Sequence, residues 1–447
     1  MPEDLPNIVL IMADQFAAHV LGKEAGEHEH FSTPALDRLA ADSTRYTRAY
    51  TSFPLCVPAR SSMLTAKYPH RLGIDGNGRE FPPDADRNED EPGRGPHSLG
   101  HWFGGHGFDC AYAGKWHARQ ASAQASDGFA PIHDFGDEGL VRSCTQWLAT
   151  RRSSKPFLLV ASFDDPHTIC EHARLQPLPY GDVAASPLDD CPPLPENFPR
   201  APFAAQAPQE EYAAAAAKYG TTAYTAEDWR RYRDVYARLV SRVDERINTL
   251  LSAVDSEPGN TIVVFISDHG DGDSSHGWNQ KSALFEECIR VPFLLRVPDR
   301  PAGRIDTPVA AVLGLLPTLC ETAGIAAPPG LDGSSVLDPD ARPVFIETKF
   351  DGGSEPATTG RAVIHGRYKY AVYNWGKWRE QLFDLEADPG ERRNLAVEGR
   401  FDDVLERMRS LLLHWCLETV DTAFLKRLVR PPDASEELRR QIFEVPY

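Results

Sequence analysis

Residues 7–13, Asn-Ile-Val-Leu-Ile-Met-Ala, form an unbroken apolar run that stops at Asp14 and Gln15. A run this short, with no polar alternation, reads as a strand buried on both faces. Three further runs, over 157–163, 261–267 and 291–297, predict strands of the same kind. Helical periodicity fills the intervals. Thr33-Pro34 opens an amphipathic helix reaching about residue 43, with proline at its first position, and a longer helix spans 227–254. Buried strands alternating with helices predict an α/β fold, a large and mostly parallel sheet sandwiched by helices. Ligands in such sheets gather beyond the carboxyl ends of the strands. Asp14, the Asp164 and Asp165 pair, and Asp268 each follow an apolar run directly.

The pattern changes near 325–343, where Ala, Pro, Gly and Asp accumulate. Beyond it, 343–348, 360–365, 368–374 and 380–385 read as short strands with turns, and 401–418 as a helix packed on them. This predicts a catalytic α/β unit over 1–335 and a smaller C-terminal unit over 336–447, an antiparallel sheet plus helix. Segments 78–97 and 170–210 are rich in Pro with Gly and acidic residues or Ala, and are expected to be irregular rims. Trp375, Trp378 and Arg379 suit packing between the two units better than a substrate wall.

The chain has 447 residues, 41% hydrophobic and 25% charged, enough for a large core. Lys+Arg of 47 against Asp+Glu of 65 gives a net charge of −18. Such acidity argues against nucleic acid or an anionic membrane as a general partner. An anionic substrate would need local positive charge working against the global field. The N-terminus is acidic and the 8–13 run too short for a signal core, and no stretch approaches the roughly 20 apolar residues of a membrane span. A cytoplasmic location is expected. Eight irregularly spaced cysteines make neither a disulfide scaffold nor a CxxC metal pair.

Four segments carry candidate chemistry. In Pro54-Leu-Cys-Val-Pro-Ala-Arg60, Pro58 suits the first turn of a helix running to about Ala66, which places Cys56 just ahead of the N-terminus. There the dipole favours a thiolate or a bound anion, and Arg60 adds a planar donor fork. A buried structural cysteine is an equal alternative. In Gly114-Lys-Trp-His117, an extended strand end would point Lys115 and His117 the same way, an anion-binding cation beside a proton acceptor. In Ser162-Phe-Asp-Asp-Pro-His167, Asp164 and Asp165 are metal ligands or turn formers, and His167 is a candidate acid for a leaving group. In Ser267-Asp-His-Gly270, Asp268 and His269 end a buried run, with a glycine that lets ligand atoms approach. With Asp14 and Gln15 they make an oxygen-biased donor set suited to a hard divalent cation. Asp271, Asp273 and His276 read as a polar loop and are not assigned to the metal.

These segments, in this order, resemble the type I sulfatase family of the alkaline phosphatase superfamily. Thr33-Pro-Ala-Leu-Asp-Arg-Leu-Ala40, Lys281 with Leu284-Phe-Glu-Glu287, Arg290-Val-Pro-Phe293 and Gln381-Leu-Phe-Asp-Leu-Glu-Ala-Asp-Pro-Gly-Glu391 add to the likeness, which covers nearly the whole chain. The resemblance implies hydrolysis of an organic or sugar sulfate ester to alcohol and inorganic sulfate. It makes Cys56 the residue that a formylglycine-generating enzyme oxidises to formylglycine. It assigns Asp14, Gln15, Asp268 and His269 to one divalent metal beside residue 56, calcium ahead of magnesium or manganese. Arg60, Lys115 and His117 match residues that hold and deprotonate the hydrated aldehyde. His167 and Lys281 match those contacting the ester and its leaving oxygen, and Asn77 a sulfate-contacting position.

Gln15 stands where many members have a second Asp, and His269 where several have Asn. Cys170 stands where a Pro often follows the histidine motif. Related phosphonate monoester and phosphodiester hydrolases share the glutamine, so these remain the alternative substrates. A non-catalytic anion-binding protein on the same fold is a third reading.

Overall fold

The structure is a computed structural model that describes residues 5–21, 30–78, 98–118, 125–337, 339–350, 357–430, 432 and 435–437. The irregular segment expected over 78–97 lies outside the described residues from position 79 onward.

Among the described residues fourteen strands follow in chain order: β1 (Asn7–Asp14), β2 (Thr44–Tyr46), β3 (Ala49–Tyr50), β4 (Asp109–Gly114), β5 (Ala130–His133), β6 (Phe157–Pro166), β7 (Thr261–Ser267), β8 (Arg290–Val291), β9 (Phe293–Arg296), β10 (Gly303–Ile305), β11 (Val344–Lys349), β12 (Thr359–His365), β13 (Tyr368–Tyr373) and β14 (Glu380–Asp384). Eight make the main sheet, in the order β10-β2-β9-β7-β1-β6-β4-β5. The central pairs β7–β1, β1–β6 and β6–β4 are parallel, as the alternation of runs and helices predicts, and β9 is antiparallel to both neighbours. The single strand expected over 291–297 is broken instead. Pro292 has no N–H to donate, so β8 pairs with β3 in a separate ribbon and β9 begins one residue later.

Apolar side chains fill both faces. Ile8, Leu10 and Met12 join one cluster, and Val9, Ile11 and Ala13 the other, as period-2 geometry requires of a strand covered on both sides. The long Ala226–Val254 helix opens with a capping box at Thr225 and Asp228 and buries Tyr232, Tyr236, Val240 and Val243 against the second face. No helix among the described residues is long and apolar enough to cross a membrane.

The second sheet runs β11-β12-β13-β14, antiparallel throughout, close to the expected strand limits. One face packs on the Asp402–Glu418 helix through Val363, Leu382, Met408 and Leu412. The other meets Tyr50, Trp278 and Leu284 of the main body through Ile346, Ala362 and Ala371. Trp375 donates its indole N–H to Thr358, whereas Trp378 is 49% exposed and edge-on to Phe203. Trp375 also packs on the cluster that joins the two units, and Phe203 belongs to the main body, so both tryptophans contribute to the packing expected between the units.

Candidate active site

Sheet register brings the acidic residues together. Ala13 pairs with Ser267, so Asp14 and Asp268, the next residue in each chain segment, leave adjacent strands side by side. Both are fully buried. The Cys56–Thr65 helix, buried on every side, brings Cys56 to the same point. That helix begins at Cys56 rather than at Pro58, so the cysteine occupies its first turn instead of preceding it. Asn77 accepts from the Val57 N–H at 3.0 Å and so satisfies one free donor of that turn.

Arg60 ties the site together. Its Nε donates to Asp268 Oδ2 at 2.7 Å and Nη2 to Asp14 Oδ2 at 3.0 Å, while Nη1 reaches the Lys115 carbonyl at 2.7 Å and Ser162 Oγ at 2.9 Å. Lys115 Nζ lies 2.9 Å from Asp14 Oδ2 and 2.8 Å from Asp164 Oδ1. Burial opposes the charge on Asp14, but Lys115, His167, Arg60 and Lys281 hold its carboxyl well below the usual range. Burial also opposes a thiolate at Cys56, as does Asp14. Lys281, His269 and Lys115 outweigh them and bring the thiol well below its ordinary value.

His269 is oriented for ligation. Its Nδ1 faces the Gly270 carbonyl at 3.0 Å, an acceptor only, so Nδ1 keeps its proton and Nε2, 3.2 Å from Cys56 Sγ, is the ring atom that a cation would take in place of a proton. Ligand atoms of Asp14, Cys56, Asp268 and His269 all lie within 4.8 Å of one another. Carboxylate oxygens and an imidazole nitrogen in a dry pocket fit one divalent cation. Lys281 donates to Cys56 Sγ at 3.3 Å and to Gln15 Oε1 at 3.0 Å, which places Gln15 at the same centre.

His167 stands one step out, its Nδ1 3.8 Å from Asp164 Oδ1 and its Nε2 3.9 Å from Cys170 Sγ. Lys115 and His117 do not share a strand end. β4 stops at Gly114, and His117 adopts a left-handed φ of 38°, which breaks the alternation. The His117 Nδ1 is buried without a hydrogen-bond partner. Asp164 and Asp165 are not at the metal cluster. Asp164 pairs with Lys115 and accepts from Tyr180, and Asp165 pairs with Arg242 and Arg246.

The 271–276 segment is no solvated loop. Asp271 and Asp273 are buried on Tyr232 and Arg233, and His276 stacks on Phe285 at 4.0 Å. Gly270 admits not a ligand but the Glu287 carbonyl, which a Cβ would meet at 1.9 Å. Sequence reading also missed Asp137, whose carboxylate accepts from the N–H groups of Asp164 and Asp165 at 2.6 and 3.1 Å and fixes the turn that carries His167. No local pattern marks it, because its partners are 27 and 28 positions away. A cavity of about 510 Å³ lined by His19, Arg45, Asn197, Arg233, Glu287 and Arg392 lies away from Cys56.

The sulfatase family profile matches residues 6–325, and that of the N-sulphoglucosamine sulphohydrolase C-terminal region matches 274–416. A Δ4,5-hexuronate-2-O-sulfatase of Bacteroides thetaiotaomicron is 29% identical, the alignment covering 92% of this chain and 88% of that protein. The structure of a 2-O GAG sulfatase superposes with a TM-score of 0.78 at 25% identity, over 98% of this chain and 96% of that one. A phosphonate monoester hydrolase of Agrobacterium radiobacter, at 20% identity and a TM-score of 0.70 over 92% and 96%, shares the fold. The chain belongs to the sulfatase family and is a sulfuric ester hydrolase.

Proposed function

We propose that Cys56, oxidised to formylglycine by a separate generating enzyme, is the nucleophile of this sulfatase, and that Asp14, Gln15, Asp268 and His269 hold one divalent cation beside it. Calcium suits the oxygen-rich set best, with magnesium and manganese as substitutes. The observation that carries the reading is the convergence of His269 Nε2, 3.2 Å from Cys56 Sγ, with two buried carboxylates on one point. Bound there, the cation would polarise the hydrated aldehyde and supply an activated hydroxyl for attack on sulfur, with the alcohol as leaving group.

The chain's own groups do the rest. Lys115 and Lys281, both buried, meet charge that builds on the sulfuryl oxygens. His167, pushed up to about 10, carries its proton at neutral pH, and with Asp164 near Nδ1 its Nε2 serves the leaving oxygen. His117 takes the proton of the second hydroxyl, which releases sulfate. Arg60 bridges Asp14 and Asp268, and Asn77 steadies the first turn at residue 56.

The substrate proposed is a sulfated sugar or other small organic sulfate, in keeping with the hexuronate and GAG sulfatases to which the chain is similar. Gln15 favours one second reading, a phosphonate monoester or phosphodiester hydrolase. The test is peptide mass spectrometry of Cys56 after co-expression with a formylglycine-generating enzyme, with turnover of matched aryl sulfate and aryl phosphodiester. Loss of roughly 18 Da that tracks sulfate turnover supports the reading. Robust diester cleavage by the unconverted thiol form overturns it. Cys56→Ala and Cys56→Ser are both expected to abolish multiple turnover.

A further inference from the structure

Gln15 is held at both ends of its carboxamide. Its Nε2 donates to Asp271 Oδ2 at 2.5 Å, and its Oε1 accepts from Lys281 Nζ, the ammonium that also donates to Cys56 Sγ. The main chain is fixed as well. Gln15 sits at a left-handed φ of 65°, its N–H donates to Asp268 Oδ1 at 3.2 Å, and its carbonyl accepts from Tyr236 OH at 2.7 Å.

We infer that Asp271, backed by Tyr232, is a positioning residue that turns the amide oxygen of Gln15 toward the nucleophile. An ionised carboxylate only accepts, so whichever amide end faces Asp271 must be the NH2. Asp271 is itself immobilised. Tyr232 OH lies 3.1 Å from both of its oxygens, and the Asp273 N–H donates to Oδ1 at 2.7 Å. Tyr232 and Tyr236 are one turn apart on the Ala226–Val254 helix, so a rigid element braces both the side chain and the backbone of residue 15. The same geometry explains a glutamine where an acid is common. A carboxylate at 15 would face the buried Asp271 carboxylate at hydrogen-bond distance, and like charges there disfavour each other's ionisation. A reversed amide would set NH2 against the Lys281 ammonium.

This inference rests on the reading that residue 15 serves the cation and the nucleophile. Its test is Asp271→Asn in the full, formylglycine-bearing chain, followed by addition of Gln15→Glu. The carboxamide introduced at position 271 has one NH2, which must oppose either Gln15 Nε2 or the Asp273 N–H, so the amide of residue 15 loses its fixed sense. Calcium affinity by titration calorimetry and kcat on aryl sulfate are expected to fall about 10- to 100-fold, with KM nearly unchanged. In the double variant the new carboxamide donates to the new carboxylate at position 15 and keeps its oxygen for the Asp273 N–H. Both quantities are then expected to return to within about threefold of the parent. Wild-type behaviour of Asp271→Asn, or a double variant no better than the single one, overturns the inference. Should Asp271→Asn not fold, Tyr232→Phe removes only the brace and is expected to lower both quantities about threefold, and no change overturns the inference. The Gln15 side-chain amide resonance reads the orientation independently of turnover. If it shifts in Asp271→Asn while the parent neither binds calcium nor cleaves sulfate, the functional reading fails and the orientation stands.

Discussion

Arg60 Nε lies 2.7 Å from Asp268 Oδ2, and both side chains are shut off from solvent. The pair is one limb of a fork that also grips Asp14, the Lys115 carbonyl and Ser162, so one guanidinium joins the ends of β1, β4 and β7 and the interior of β6 to the Cys56–Thr65 helix. Lysine keeps the charge and loses the fork. Arg60→Lys is expected to lower stability by about 3 kcal/mol and to remove most turnover, since it leaves buried carboxylates partly unpaired. A thermal midpoint and kcat equal to those of the parent would refute this.

A pH effect on stability is expected where the two sheets meet. His70 Nδ1 lies 2.7 Å from Glu347 Oε1 of β11, and its Nε2 faces the Thr419 carbonyl at 3.2 Å. Burial opposes charging of His70, but Glu347 and Asp421 outweigh it and raise its pKa above 6.5. A raised histidine contributes stability that is full below the unfolded pKa, about 6.5, and is lost as pH rises through the folded value. The thermal midpoint of the parent should therefore exceed that of His70→Gln most below pH 6, with the gap narrowing on the alkaline side. A gap independent of pH would count against the ion pair.

The alkaline limb of activity is expected to report His167. Burial disfavours its charge, yet Cys170 beside it, helped by Asp14, brings its pKa up to about 10. Proton donation from His167 is then available below that value and lost above it. Cys170→Ala removes the largest raising influence, so the limb of kcat should move to lower pH while the acid limb stays. An unmoved alkaline limb would assign it to another group.

Gly270 follows the proposed ligand His269, and a Cβ there would meet the Glu287 carbonyl at 1.9 Å and Ala17 Cα at 3.1 Å, both of them backbone atoms. Gly270→Ala must displace one chain segment or the other, at a cost of about 1–3 kcal/mol. The expected result is a lower thermal midpoint together with weakened calcium binding, because His269 moves with its neighbour. A change in only the first would place the strain away from the site.

The elements nearest the site were legible wherever their signal was local. The apolar run of β1 ends at Asp14 and that of β7 just before Asp268, and parallel strands set such ends side by side whatever the rest of the chain does. Cys56 with Pro58 and Arg60, and the family likeness running through Lys115, His167 and Lys281, likewise lie in contiguous stretches. What the tertiary structure alone decided is which polar groups lose water and whom they meet. Asp271 reads as a loop residue until Tyr232, 39 positions earlier, and Gln15, 256 positions away, close over it. Asp137 and the turn at His117 are of the same kind. Periodicity and turn chemistry act over a few residues, whereas a buried carboxylate takes its role from partners that only the folded sheet brings within hydrogen-bond distance.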